Sequence, residues 1–418
     1  MKHSLLLSLA LGAGWLLSPE SLVIAANSAA QMGWLTLPVL AAVALLFGLT
    51  GQLLHHSQLP TGTDKEFLLL QSLTGTLPAA TVSLASCIPL VVLVATALLV
   101  TSGYTFNEVF LYWFPNFGFS FLLLAILTIL QFFPERILFK AQICFVALTT
   151  GGLLILALSG TIGAESPVTR ILQQPANFSS LTSATLLLLF VGSIFPGEKK
   201  HSFLIPVTGF VIFFLWILAS LSYVAPERLA SSTIPYMTAA RKIMGDPGRH
   251  IMGVVVISGT CAAFTGLMIM SRRMLGNSIY AKNTSPLLTS TQQRWLFPPL
   301  VALATGILMA TGLAGDELLE VLLRGALILW LLRHTLLCLS ALFWIKEKGK
   351  TLPMVAGICT LILMATLLIL IGTNPQRTEM ISFILSMFGI SSMLAGTWLF
   401  INKKTHKRTT TQQTEKPV

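Results

Sequence analysis

Long runs of apolar residues follow one another along this chain with only short polar connections between them. They do not show the alternation of apolar and polar residues that strands carry. A run of roughly 20 apolar residues crosses the hydrocarbon core of a bilayer as a helix, because a helix satisfies all its backbone polar groups internally. A membrane barrel would show alternating strands. The pattern predicts an all-α integral membrane protein with about twelve transmembrane helices, over 5–27, 35–54, 78–103, 113–133, 137–160, 180–195, 203–224, 250–270, 297–313, 317–345, 352–372 and 379–401. The longest connections, 225–249 and 271–296, are too short for a soluble domain, so 1–401 reads as one polytopic domain. After Asn402 the chain turns polar and basic, and 402–418 reads as a disordered tail.

Composition agrees, with 54% hydrophobic and 10% charged residues. The net charge of +11 invites a nucleic-acid partner, but the basic residues are spread over short connections rather than gathered on one face. The expected partners are therefore the lipid bilayer and a small solute. With a cytoplasmic N-terminus, most Lys and Arg fall on the inner side, among them Arg136, Lys140, Arg272, Arg273, Arg294 and Lys346. Arg170, Arg228, Arg241, Lys242, Arg249 and Arg377 fall on the outer side, four of them in one long loop. This asymmetry predicts a multi-pass protein of the cell membrane with both termini in the cytoplasm. Residues 1–17 resemble a secretory signal, but Glu20 and the length of the run argue for a retained first helix. Cys87, Cys144, Cys261, Cys338 and Cys359 lie in apolar segments without CxxC spacing, so they read as small packing residues and imply no metal or cofactor. Monomer and oligomer are both open at this level.

Two apolar segments interrupt themselves. In the first, Gly12-Ala13-Gly14 precedes Pro19 and Glu20. Each glycine weakens a helix by roughly 1 kcal/mol relative to alanine, and proline removes a backbone donor. An unwound stretch there would expose N–H groups to a substrate carboxylate, with Trp15 forming a wall or gate. The alternative is close helix packing through small residues. In the sixth, Gly192-Ser193-Ile194-Phe195-Pro196-Gly197 stands before Glu198-Lys199-Lys200. Breaks five helices apart suit a transporter built from inverted repeats.

The first helix resembles the glycine-rich first helix of the amino acid, polyamine and organocation permeases, in which a GxG precedes a proline. Leu59-Pro60-Thr61-Gly62, Gly197-Glu198-Lys199-Lys200 with Ile205-Pro206, and Ser271-Arg272-Arg273-Met274 resemble that superfamily's loops after helices two and six and its end of helix eight. The resemblance, closest to short bacterial amino-acid exporters, implies a five-plus-five inverted-repeat core with two further C-terminal helices. It also implies alternating access and an amino acid or amine held between helices one and six. Three departures stand out. The expected centre of helix six falls at 185–188, with Thr185 and no glycine. Helix five has Thr149 and Thr150 where proton-coupled members can carry a lysine. Ser258, Thr260 and Thr265 offer helix-eight hydroxyls without distinctive spacing. The coupling ion, proton or sodium, is not readable, nor is the direction of transport.

An ionisable residue inside a membrane helix costs roughly 2.5 to 3.5 kcal/mol on insertion scales, so it normally faces a partner or a watery cavity. Glu20 and Arg324 fall at matching depth, each seven residues from the outer end of its helix, and because helices one and ten meet at the outer gate in the fold that the resemblance implies, they are the expected gate pair. Glu320, one turn before Arg324, is the rival partner. Arg333 is expected to snorkel or face the bundle; His334 is a candidate for a proton pathway or a packing residue. The segment 226–247 reads as a helix capping the external vestibule or as a solvated loop. An enzyme is the rival from another class, but His55-His56 with Asp64 and Glu66 forms no recognisable metal or phosphate motif. Nor does any segment resemble a channel filter.

Overall fold

The computed structural model describes residues 2–56, 65–163, 177–192, 203–232, 234–279, 290–313, 317–345 and 351–414. The described residues are helical almost throughout, in the order α1 Lys2–Leu16, α2 Pro19–Met32, α3 Thr36–His56, α4 Lys65–Thr74, α5 Thr76–Val109, α6 Asn116–Leu130, α7 Glu135–Gly163, α8 Ser180–Phe190, α9 Leu204–Tyr223, α10 Pro226–Ala230, α11 Pro235–Ile279, α12 Ser290–Ala310, α13 Glu317–Trp344, α14 Thr351–Gly372 and α15 Arg377–Thr414. Each predicted span contains a helix. Among the described residues, eight helical stretches are long and apolar enough to cross a membrane, and 116–130, 180–190 and 294–310 are shorter apolar helices. The chain is an all-helical, multi-pass membrane protein.

The bundle is layered around α5, α11 and α13, the most deeply buried long helices. Their small residues permit close approach: a Cβ on Gly103 would lie 2.2 Å from Ser120 Oγ of α6, and one on Gly325 would lie 2.6 Å from the Phe383 ring of α15. Such contacts favour helix association in lipid, where hydrophobic burial supplies little driving force. Among the described residues all five cysteines are free, and only Cys144 is exposed. α15 is peripheral, exposing Leu385, Ile390, Met393 and Phe400. It continues to Thr414, into the stretch that composition marks as a disordered tail.

Between α9 and the membrane-crossing part of α11, the chain folds into α10 and a short helix that ends at Gly245, whose φ of 66° breaks helical geometry. Tyr236, Met237, Ala239 and Ala240 of that short helix are buried, while Arg241 and Lys242 are exposed. The segment 226–247 is thus a helical cap packed by one face, and α10 lies against α2.

Candidate functional site

The first segment breaks four residues beyond the glycines. α1 stays helical through Gly12, Ala13 and Gly14, and the turn falls at Leu17–Ser18. Pro19 has no N–H to continue the ladder. The Ser18 N–H turns back to the Trp15 carbonyl at 3.0 Å, Ser18 itself is extended, and its Oγ accepts the Ser21 N–H at 3.3 Å to cap α2. The Ser21 hydroxyl closes the turn by donating to the Trp15 carbonyl at 3.0 Å. The unwinding expected at Gly12–Gly14 is therefore corrected to Leu17–Ser18. Glycine only weakens a helix, whereas proline with an N-capping serine ends one. Gly14 serves packing, since a Cβ there would lie 2.6 Å from Gln142 Nε2 of α7 and 2.9 Å from the Ala262 carbonyl oxygen of α11. Gln142 Nε2 in turn donates to the Ala10 carbonyl at 2.9 Å.

The second interruption begins where α8 ends at Phe190, with Val191 and Gly192 in a turn; 193–202 lies outside the described residues, as do the motifs at 59–62 and 197–200. A Cβ on Gly192 would lie 2.5 Å from the Trp15 ring and 2.5 Å from the Trp330 ring. Those two indoles meet edge to face at 5.5 Å. Trp15 is buried, and its Nε1–H has no acceptor among the described residues. The two helix interruptions thus converge on one tryptophan.

Beside this junction α2, α8, α13 and the end of α14 enclose a cavity of about 150 Å³. Its polar wall holds Glu20, Asn27 and Gln31 of α2, Thr182 and Thr185 of α8, Glu320 and Arg324 of α13, and Asn374. Leu181, Leu188, Leu327 and Leu370 supply apolar wall. The Thr182 hydroxyl donates to Gln31 Oε1, tying α8 to α2. Glu20 and Arg324 line this one cavity, as their depths suggested. Here, however, Arg324 pairs with Glu320 on its own helix. Glu20 makes no hydrogen bond or ion pair of its own among the described residues.

Arg333 neither snorkels nor stands alone. It pairs with Glu66 of α4, both side chains largely buried. Glu66 sits in a charged connection and carries no sequence signal that separates it from a solvated residue. His334 is buried, 3.2 Å from the Thr50 hydroxyl through Nε2 and stacked on Phe47 at 5.4 Å. Like the Arg333–Glu66 pair, the Trp344 indole N–H ties α13 to α4, donating to Ser72 Oγ at 2.8 Å.

The hydroxyls of α11 are dispersed. Ser258 shares a hydrogen bond with Thr149 of α7 at 2.9 Å, whereas Thr260 accepts from Ser102 of α5 at 2.7 Å. Thr265 Oγ1 is buried without a partner among the described residues. Only the Ser258–Thr149 pair approaches the break, through Gly259, whose added Cβ would lie 2.9 Å from the Leu17 carbonyl oxygen. Among the described residues no group of three or more His, Cys, Asp or Glu side chains is placed to hold a metal ion.

No family model matches the chain, and no curated protein matches it in sequence. In three dimensions it is similar to the manganese transporter of Eremococcus coleocola in complex with an aromatic bis-isothiourea substituted compound. The TM-score is 0.60 at 12% identity, over 96% of this chain and 95% of that one. A single-residue variant of that transporter matches with the same values. At this identity the likeness establishes the fold: the chain shares the all-helical architecture of a membrane transporter.

Proposed function

We propose that this protein is a secondary active transporter that moves a small amino acid or related amine across the cell membrane by alternating access. The observation that carries the reading is the convergence of two helix interruptions on Trp15, next to a polar cavity. Irregular backbone at membrane depth is tolerated where it lines a cavity or is buried in protein, and in transporters it supplies free backbone groups to substrate. The α2 N-terminus beyond Leu17–Ser18 takes the carboxylate-binding role expected of Gly12, Ala13 and Gly14. Trp15 forms the wall, and Thr185 contributes to the adjoining cavity. The shared fold and the resemblance to the amino acid, polyamine and organocation permeases support the five-plus-five plan.

Glu20 and Arg324 form the outer gate in this reading. Their positions on facing helices of one cavity support it, with Glu320 holding Arg324 while the gate is open. The coupling ion is a proton or sodium; Ser258 and Thr149, next to Gly259, are hydroxyls that α11 and α7 bring near the break.

A divalent metal is the second reading, favoured by the similar manganese transporter and by the uncommitted Glu20 carboxylate among the amide and hydroxyl oxygens of Asn27, Gln31 and Thr185. Uptake into proteoliposomes decides between the two. Radiolabelled amino acids, polyamines and manganese would be offered with and without a sodium gradient and at two pH values. Saturable amino-acid or amine uptake is the expected result; manganese uptake alone would replace it with the metal reading. A ligand at a hundred times its dissociation constant should also stabilise the purified protein by about 2.7 kcal/mol. Absence of both uptake and stabilisation with every compound would overturn transport of these solutes.

A further inference from the structure

Away from the cavity, three arginines gather where the α6–α7 turn meets the end of α11 and the start of α12. Arg272 Nη2 donates to Gln131 Oε1 at 2.9 Å, and Arg294 Nη2 donates to the Phe132 carbonyl at 2.6 Å. Arg273 lies over the Phe139 ring, 5.9 Å from its centre. Two donors in this cluster, Gln131 Nε2 and Arg294 Nε, are buried and find no acceptor among the described residues.

The charges do not cancel. Arg272 lies within electrostatic range of Arg273 and Arg294 and of a single carboxylate, Glu135. None of the three arginines forms an ion pair among the described residues, and Arg136 and Lys140 on the same end of α7 are exposed. The cluster is thus rich in donors and positive charge and short of acceptors. Its surroundings are apolar: Trp295, 58% exposed, stacks on Phe132 at 5.2 Å, and Phe133, Leu296 and Leu300 are exposed beside it, Leu300 to 65%. In a helix that crosses a bilayer, exposed apolar residues of this kind face acyl chains, which brings lipid headgroups to the level of the arginines.

We infer that this cluster is a binding site for the headgroup of an anionic phospholipid, with the phosphate on Arg272, Arg273 and Arg294 and the acyl chains along Trp295, Leu296 and Leu300. Basic pockets between membrane helices hold lipid phosphates through charge-assisted hydrogen bonds, and guanidinium groups match phosphate geometry. The site joins α6, α7, α11 and α12 at one membrane face, the face on which most lysines and arginines fall. It is independent of the transported solute.

The test is thermal unfolding and native mass spectrometry of the full chain in detergent, titrated with phosphatidylglycerol, phosphatidylcholine or inorganic phosphate. Phosphatidylglycerol should remain bound and raise the unfolding temperature, while phosphatidylcholine and inorganic phosphate should not. The double substitution Arg273→Gln with Arg294→Gln should weaken phosphatidylglycerol binding by roughly tenfold or more. Arg241→Gln with Lys242→Gln, which removes the same charge from the cap, should leave it unchanged. Should the first pair prove too unstable to purify, Arg273→Lys with Arg294→Lys keeps the charge and tests the fork geometry, with an intermediate loss expected. Equal binding of phosphatidylcholine, an equal shift from inorganic phosphate, equal loss in the cap variant or no phosphatidylglycerol binding at all would each overturn the site.

Discussion

A glycine in a membrane helix can mark a place that must unwind or a place where another helix comes close, and Gly14 belongs to the second kind. Its missing Cβ is replaced by Gln142 of α7 and by the Ala262 carbonyl of α11, a backbone group that cannot swing away. Gly14→Ala should therefore lower stability by about 1–3 kcal/mol through overpacking. Gly151→Ala should be neutral or stabilising by up to about 1 kcal/mol, since nothing lies within 4 Å of its added methyl. Thermal unfolding of both variants in one detergent checks the contrast. The buried Glu66–Arg333 pair behaves differently. Glu66→Gln should cost about 3 kcal/mol by leaving a guanidinium uncompensated, while Glu66→Gln with Arg333→Met should recover much of the loss. A double-mutant cycle in unfolding free energy reads this directly, and strictly additive losses would count against the pair.

Among the elements, the divided first segment carries most of the proposed binding site. α1 and α2 have 15 and 14 residues, each short of a full membrane crossing of roughly 20 residues, and four groups join them: Ser18, Pro19, Ser21 and the Trp15 carbonyl. Ser18→Ala removes the cap and should cost about 1 kcal/mol. Pro19→Ala restores a backbone donor and allows the helix to run on through the turn. We expect it to retain the fold, with an unfolding temperature close to that of the unaltered protein, but to reduce transport sharply. Uptake per folded protein separates the two effects, and undiminished uptake would show that the turn is structural. The cap formed by α10 and the first part of α11 closes over α2 in the same way, one face buried and Arg241 and Lys242 left to solvent.

At the scale of the whole molecule, the cavity between α2, α8, α13 and α14 is lined by Glu20, Glu320 and Arg324, the charges of the proposed gate. Glu320 and Arg324 are 62% and 46% exposed, so their bond is a weak surface pair, which the proposed gate would exchange for Glu20 on closing. Glu20→Arg and Arg324→Glu should each abolish most uptake, and the double swap should restore part of it; a double variant as inactive as the singles would remove the gate. Hydrophobic pattern alone fixed the membrane class, the helical architecture and the approximate places of the long apolar helices, because a bilayer leaves a chain few ways to satisfy its backbone; α4, in a polar connection, and the division of the first span lay outside it. The break in the first segment was legible as a proline and two glycines, yet its place was misread, because only packing against α7 and α11 shows that Gly14 is occupied by neighbours. The shared depth of Glu20 and Arg324 was readable from spacing along helices, whereas Thr185 was singled out only by the resemblance, as the expected centre of helix six. Glu66, Gln142 and Trp330 were not readable, since each acts through a partner distant in the chain and resembles its neighbours in type. Sequence determined which segments enter the bilayer; tertiary structure decided which residues meet there, because side-chain pairing depends on how helices pack and not on their hydrophobicity.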